Sequence, residues 1–392
     1  MRESWSGRGQ AGKITLKRGA LPQGRGWNIG WTKGVIVSVL LSGCVADASV
    51  NPRQAHYPAP QAPVTRPPAS AYVPAPRPPM ASRAVAPVEL QRSIAALGQN
   101  FNGVAGISVR RVDADWEVSY NGGRLMPQQS VSKLWVAMTM LDAIDRDRLT
   151  MSDPVTISGN DLTLFHQPVA AMMKGGTYTT TLSDLYNRAM QQSDNTANDA
   201  ILRKVGGPEA VRGFLARRFI PDIRFGPGER LLQSKTAGLT WNQSMSIGRN
   251  FYTARANLPK SVREKALDDY LANPPDGAAA SSITLALAKL KRGEMLSPSS
   301  TAYLISTMEG AKTGPQRIKG GVPAGWRYGH KTGTGQDLAP RSTGYNDVGI
   351  MTAPDGTSYA VAVMIGSTTA AIPERWQLMQ GVSRAIAASH RK

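Results

Sequence analysis

The sequence predicts an α/β (α+β) fold: one antiparallel sheet built from both ends of a globular segment, flanking helices, and an all-helical lobe between them. Three observations lead there. Two alternating apolar runs joined by a tight turn open the globular segment. Two more such runs close it. The stretch between, about residues 126–315, carries helical apolar spacing over most of its length.

In chain order, Leu90, Ile94 and Leu97 have helical spacing, with Gly98 as a stop. Val104–Arg111 and Trp116–Tyr120 read as strands around the turn Asp113-Ala114-Asp115. A helix starts near Ser130, with an apolar face of Leu134, Ala137, Met138, Leu141 and Ile144. A further helical stretch covers Leu182–Met190, and apolar spacing marks extra helix in Trp241–Ala256 and Lys260–Leu271. Tyr345–Met351 and Ser358–Ile365 flank the turn Pro354-Asp355-Gly356, and a last helix carries Leu378, Met379, Val382 and Ile386 on one face. There is no internal repeat.

The chain has 392 residues, 41% of them hydrophobic and 19% charged, enough to bury a core and too few charges for a polar disordered chain. A single cysteine excludes an internal disulfide and any cysteine-rich metal framework. The four histidines (His56, His166, His330 and His390) form no H-x-x-x-H pair, which argues against a zinc hydrolase. The formal charge of +19 fits nucleic acid, an anionic envelope surface or acidic substrates alike.

The charge is uneven. Residues 1–43 hold seven Lys/Arg against one acid, Glu3, and then a short apolar run, Val35–Leu41. The run falls short of the ~20 residues a spanning helix needs and suits the core of a signal peptide. It ends Leu41-Ser42-Gly43-Cys44, small residues before the lone cysteine, which resembles a bacterial lipobox. A buried cysteine in an ordinary helix is the alternative. The lipobox implies a signal peptide over 1–43, lipid attachment at Cys44, and a periplasmic protein anchored to a membrane; Val45 rather than Asp after the cysteine favours the outer one. Residues 44–88 then read as a linker: 52–88 hold 11 of the 27 prolines and no Asp, Glu, Leu or Ile. Such a segment builds no core and is expected to be extended and polyproline-like. From Glu89 to the C-terminus, 89–392, the composition is globular.

Chemistry concentrates in that segment. Ser130-Val131-Ser132-Lys133 sets a serine and a lysine three apart at a helix start, where they share a face. Serine becomes a nucleophile once a neighbour takes its proton. A helix cap followed by a solvent lysine is the plainer reading. A second copy, Ser389-His390-Arg391-Lys392, opens no helix. Ser193-Asp194-Asn195 follows the Leu182–Met190 helix, and alone reads as a polar loop. Lys331-Thr332-Gly333-Thr334 precedes the closing strands; on an edge strand, a lysine, hydroxyls and a glycine can bind a carboxylate while backbone approaches closely. Lys312-Thr313-Gly314 repeats the triplet, but Pro315 cannot join a ladder and makes it a turn.

Taken in this order, the three elements resemble those of the class A β-lactamases and, more broadly, the penicillin-recognising serine enzymes. The likeness runs from about Glu89 to the C-terminus and includes Val205–Val211, Leu296-Ser297-Pro298 and Val322–Trp326. It implies a serine β-lactamase without metal or organic cofactor, acting on β-lactam small molecules as a monomer, with no nucleic-acid partner. It implies that Ser130 is the nucleophile, that Lys133, or Glu229 through a water, takes its proton, and that Ser193 is the donor to the leaving nitrogen. By the same likeness Asn195 orients Lys133 and substrate, and Lys331, Thr332, Gly333 and Thr334 hold the carboxylate. Glu229-Arg230-Leu231-Leu232-Gln233 falls 36 residues after Ser193, where the family keeps Glu-x-x-x-Asn for hydrolysis of the acyl-enzyme. Gln233 departs from the usual Asn. Arg317, 14 residues before Lys331, matches a carboxylate-supporting arginine of some members, and Arg341 is a rival better read as a surface residue. Phe165 or His166 matches an aromatic gatepost.

Glu229 to Lys331 spans 102 residues, longer than the family pattern, with the excess at about 235–280. A lid, an altered substrate wall and a partner surface are all open to it. Two other functions fit the same fold: a D-Ala-D-Ala carboxypeptidase or other peptidoglycan-acting serine hydrolase, and a non-catalytic envelope-binding lipoprotein. The intact Ser130, Lys133, Ser193, Lys331 and Glu229 set argues against the latter, because losing one such group disables the rest.

Overall fold

The structure is a computed structural model that describes residues 85–390. The expected signal peptide, Cys44 and the linker up to residue 84 lie outside the described residues.

Helix α1 (Val88–Gln99) buries Leu90, Ile94 and Gly98. Gly98 lies flat on the Tyr120 ring, where a Cβ would come within 2.2 Å of Cδ1. Strands β1 (Gly103–Arg111) and β2 (Glu117–Tyr120) form the opening hairpin, with Ile107 opposite Tyr120. A short β3 (Leu125–Pro127) leads into a 3₁₀ turn, Gln129–Ser132, which continues as α2 (Lys133–Ile144). Every α2 residue from Lys133 to Ala143 is buried, so the helix has no solvent face. The one-sided apolar stripe expected from Leu134, Ala137, Met138, Leu141 and Ile144 is therefore too narrow. A helix apolar nearly all round is a core helix, and the lobe wraps α2 on every side.

The lobe continues with β4 (Pro154–Ser158) and β5 (Thr177–Thr181), which pair antiparallel. Then come α3 (Leu182–Asn187), α4 (Asn195–Lys204), α5 (Gly207–Arg217) and α6 (Glu229–Thr236). The excess segment supplies α7 (Asn250–Asn257) and α8 (Lys260–Ala272), helices as expected. Strand β6 (Gly277–Ala279) pairs with β3, and α9 (Ala280–Lys291) and α10 (Pro298–Glu309) complete the lobe. The two small sheets, β3–β6 and β4–β5, are additions to the all-helical lobe expected. Threonine-rich β5 is half exposed along its length and lacks the apolar alternation that marks a strand in sequence.

The closing strands are β7 (Arg327–Gly333), β8 (Ser342–Thr352) and β9 (Ser358–Thr368), followed by α11 (Ile372–Ser389). The main sheet runs β2-β1-β9-β8-β7, antiparallel throughout, so the opening and closing strands of the described segment meet at β1–β9 and β7 is an edge. Alternation along β9 assigns its faces. Val361, Val363 and Ile365 join a core with α1 and α11 residues such as Ile94, Met379 and Val382. Ala360, Ala362 and Met364 face the lobe core around Trp135, Met138 and Leu287. The small alanines let α9 lie close against β9.

Candidate active site

The 3₁₀ turn and α2 place Ser130 and Lys133 one turn apart, and Lys133 Nζ donates to Ser130 Oγ at 2.8 Å. Lys133 is 1% exposed. Its other two donors go to Asn195 Oδ1 at 2.8 Å and to Glu229 Oε1 in a buried ion pair. A buried ammonium needs such partners, because leaving it unpaired costs several kcal/mol. The residue before Ser130, Gln129, has φ +53°, a left-handed backbone that non-glycine residues rarely adopt.

Ser193 and Asn195 come from the junction of α3 and α4. A single π turn, Arg188–Gln192, ends α3, and Ser193 itself is left-handed at φ +63°. Strain of this kind, of order 1–3 kcal/mol, persists where surroundings over-determine it. Asp194 caps α4 through Ala197 N–H at 2.9 Å and also accepts Val169 N–H at 2.6 Å. Asn195 is held by its Nδ2 donating to Leu164 O at 2.9 Å.

Edge strand β7 brings the lysine triplet alongside. Lys331 is fully buried and donates to Ser193 Oγ at 2.9 Å and to Thr332 O at 3.0 Å. Burial, with the positive charges of Lys133 and Arg317 nearby, pushes the Lys331 amine well below its usual value. A Cβ on Gly333 would meet Gln128 O at 2.3 Å, so only glycine lets β7 approach the turn that carries Ser130 this closely.

Helix α6 supplies Glu229 at its first position, where the backbone N–H of Glu229 donates to the Asp199 carboxylate at 3.2 Å. Gln233 lies one turn on. Its Nε2 donates to Glu229 Oε2 at 3.2 Å and to Gln129 Oε1 at 2.8 Å, while its Oε1 accepts from Gln336 Nε2 at 3.0 Å. The longer amide thus faces Glu229 with its donor end, and its oxygen is engaged elsewhere.

These side chains meet at one cavity of about 500 Å³ lined by Ser130, Ser193, Asn195, Glu229, Gln233, Arg317, Thr332 and Thr334, with Phe165 and His166 at its wall. Lys133, Lys331 and Gly333 lie behind residues that line it. Arg317 differs from the bidentate carboxylate grip expected of it. Its Nη1 donates to Gly333 O at 2.8 Å and Asn346 O at 2.5 Å, its Nη2 to Thr334 Oγ1 at 2.6 Å, and its Cζ lies 3.8 Å from the Tyr345 ring centroid. It braces the end of β7 from behind. Arg341 pairs with Asp268 on α8, away from the cavity.

A profile of the β-lactamase enzyme family matches residues 89–389. The chain belongs to that family. It is a class A serine β-lactamase that hydrolyses β-lactams and confers resistance to them. The extended-spectrum β-lactamase PER-1 of Pseudomonas aeruginosa is 27% identical over 277 residues, 70% of this chain and 79% of that one. The β-lactamase VEB-1 of Pseudomonas aeruginosa is 24% identical over 268 residues, 68% of this chain and 79% of that one. The crystal structure of TLA-1 extended-spectrum β-lactamase superposes with a TM-score of 0.64 at 21% identity, covering 76% of this chain and 97% of that chain. An ancestral class A β-lactamase superposes with a TM-score of 0.62 at 24% identity, covering 77% and 100%.

Several residues of this β-lactamase's cavity escape sequence reading. Thr313, from the triplet set aside as a turn, does sit in a turn, yet its hydroxyl lies 2.7 Å from Thr332 Oγ1 and lines the cavity. Tyr252 and Arg255 on α7 also line it, so the excess segment forms part of the cavity wall. Phe165 packs edge-on against Phe251, centroids 5.0 Å apart, which ties the gatepost to that segment. Gln129, in the 3₁₀ turn, and Gln336, in the loop after β7, are polar residues with no periodicity or motif to mark them.

Proposed function

We propose that Ser130 forms the acyl-enzyme and that Glu229 drives its hydrolysis. What carries this reading is one contact point: the Lys133 ammonium touches Ser130 Oγ, Asn195 Oδ1 and Glu229 Oε1 together. Lys133, as the neutral amine, takes the Ser130 proton as Oγ bonds to the lactam carbonyl carbon, and Glu229 stays a carboxylate. Backbone N–H groups of Ser130 and Thr334 receive the oxyanion. As the C–N bond breaks, Ser193 gives its proton to the nitrogen and is resupplied from Lys331, whose depressed pKa favours release. Asn195 orients Lys133 and the substrate amide. Thr332 and Thr334, the latter braced by Arg317, bind the substrate carboxylate beside Lys331. The proton that Lys133 gained makes good the one that Lys331 gave; water then attacks the ester as Glu229 takes its proton, and that proton reaches Ser130 Oγ through Lys133 as the Ser130–carbonyl bond breaks. The decisive test is Glu229→Ala with a chromogenic cephalosporin and mass spectrometry. Acylation of Ser130 should persist while turnover falls roughly 10²–10⁴-fold, the range for losing a general base. Unchanged steady-state hydrolysis would remove Glu229 from this role.

A peptidoglycan carboxypeptidase is the rival on this fold, and Glu229 beside the nucleophile favours the β-lactamase mechanism over it. We also propose a periplasmic lipoprotein anchored through Cys44, more readily in the outer than the inner membrane, supported by the lone cysteine after the signal-like run. Radiolabelled palmitate should enter the wild type and not Cys44→Ser. A monomer is supported by one chain supplying every cavity residue described above, and light scattering of the domain from Glu89 onward tests it.

A further inference from the structure

We infer that Tyr270, on helix α8 of the excess segment, is a positioning residue for the base that hydrolyses the acyl-enzyme. It acts through a chain of hydrogen bonds linking Asp276, Tyr270, Gln129, Gln233 and Glu229, in which Gln233 donates both ways. This rests on Glu229 being that base.

The chain begins at Asp276, whose side chain is 1% exposed. Its Oδ2 accepts the Gln129 backbone N–H at 2.8 Å and its Oδ1 accepts the Tyr270 hydroxyl at 2.9 Å. Burial raises the Asp276 carboxyl to about 6, still below neutral pH, so it is a carboxylate with nothing to donate. The Tyr270 proton therefore points to Asp276. The phenol oxygen is left as an acceptor, and Gln129 Nε2 lies 2.6 Å from it. This settles which way the Gln129 amide faces. Its Oε1 must turn to Gln233, whose Nε2 donates across 2.8 Å. Gln233 Nε2 has a second hydrogen, directed at Glu229 Oε2 at 3.2 Å. Gln336 Nε2 holds the far end of Gln233 by its Oε1 at 3.0 Å. Each amide has its donor and acceptor ends assigned, and the assignment originates at a tyrosine 141 residues from Gln129 in sequence.

An amide presented the other way would set an oxygen against the Glu229 carboxylate and push it off the attacking water. The chain touches Oε2 of Glu229, whereas Lys133 holds Oε1, so it bears on the orientation of the carboxylate and not on the Ser130–Lys133 contact. The excess segment thereby reaches the second chemical step and leaves the first alone.

Tyr270→Phe keeps the ring and removes the hydroxyl. Stopped-flow with a chromogenic cephalosporin gives the acylation and deacylation constants separately. We expect deacylation to slow roughly tenfold, with acylation within twofold of wild type and acyl-enzyme accumulating in the steady state. Gln129→Met, which deletes both ends of the amide, should slow deacylation similarly, and the double variant should show no additional loss. Equal loss of both constants, an unchanged deacylation constant, or additive losses in the double variant would each overturn the inference. Glu229→Ala run alongside separates the two readings: if it leaves deacylation intact, the role of the base falls and this inference with it. If it stalls deacylation while Tyr270→Phe does not slow it, only the inference falls.

Discussion

The two halves of the active site are built in different ways. The acylation half, Ser130, Lys133, Ser193, Asn195 and Lys331, rests on regular elements: one helical turn, a helix cap and an edge strand. The hydrolytic half, Glu229 and Gln233, rests on side chains passing hydrogen bonds to side chains, ending in a segment beyond the usual length of the family. Backbone geometry fixes a lysine beside a serine whatever surrounds it. An amide can point either way, and needs a neighbour to decide.

The largest effect should come from breaking the first half at its centre. Ser130→Ala should lower kcat by at least about 10⁴-fold and abolish labelling by a fluorescent penicillin, because it removes the hydroxyl proposed to carry the acyl group. Residual labelling would place the nucleophile elsewhere.

A second measurement bears on what the hydrolytic half costs. Asp276 titrates at about 6 in the folded protein, against an ordinary 3.8 when unfolded, with burial the main cause. A raised carboxyl pKa means the folded state holds the proton more tightly. Its contribution to stability is full below about pH 3.8 and is lost as pH rises through about 6. The loss is on the order of 3 kcal/mol. Urea denaturation between pH 4 and 7 should show Asp276→Asn lacking this falling component relative to wild type. Parallel curves would mean that the carboxylate is buried without penalty.

The smallest effect sharpens the comparison from the other side. Arg317→Gln removes the brace on Gly333 O and Thr334 Oγ1, and should raise KM about tenfold with a smaller change in kcat, since one charge-assisted contact is worth roughly 1.5 kcal/mol. A kcat loss exceeding the KM rise would move Arg317 from substrate holding to the chemical step.

The same division explains what could be read from the sequence. The sheet was legible at both ends because apolar alternation and tight turns are local signals, and β1, β2, β8 and β9 appear within a few residues of expectation. Ser130 and Lys133 were legible because their relation spans three residues. Lys331 was separable from the Lys312 copy because Pro315 forbids a strand there. That argument was right about the backbone and silent about Thr313, whose hydroxyl folds back onto Thr332. Glu229 emerged from the family resemblance, through its distance from Ser193 and the shared leucine of its loop. Gln129, Tyr270 and Gln336 did not, since a hydrogen bond between residues more than a hundred apart leaves no periodic trace. The burial of α2 was underestimated for a related reason: a stripe is judged against a solvent face, and this helix has none.

The pairing of β1 with β9 has a consequence for how the enzyme comes into being. Thr368 Oγ1 reaches the Asn102 carbonyl, 266 residues earlier, so the sheet closes only across nearly the whole globular segment. Contacts at such separation form late and slowly. Until β7, β8 and β9 have been made and seated, the chain carries its nucleophile and lysine but has no edge on which to hold a substrate. Catalytic competence therefore arrives last in synthesis, and an unfinished chain is chemically silent.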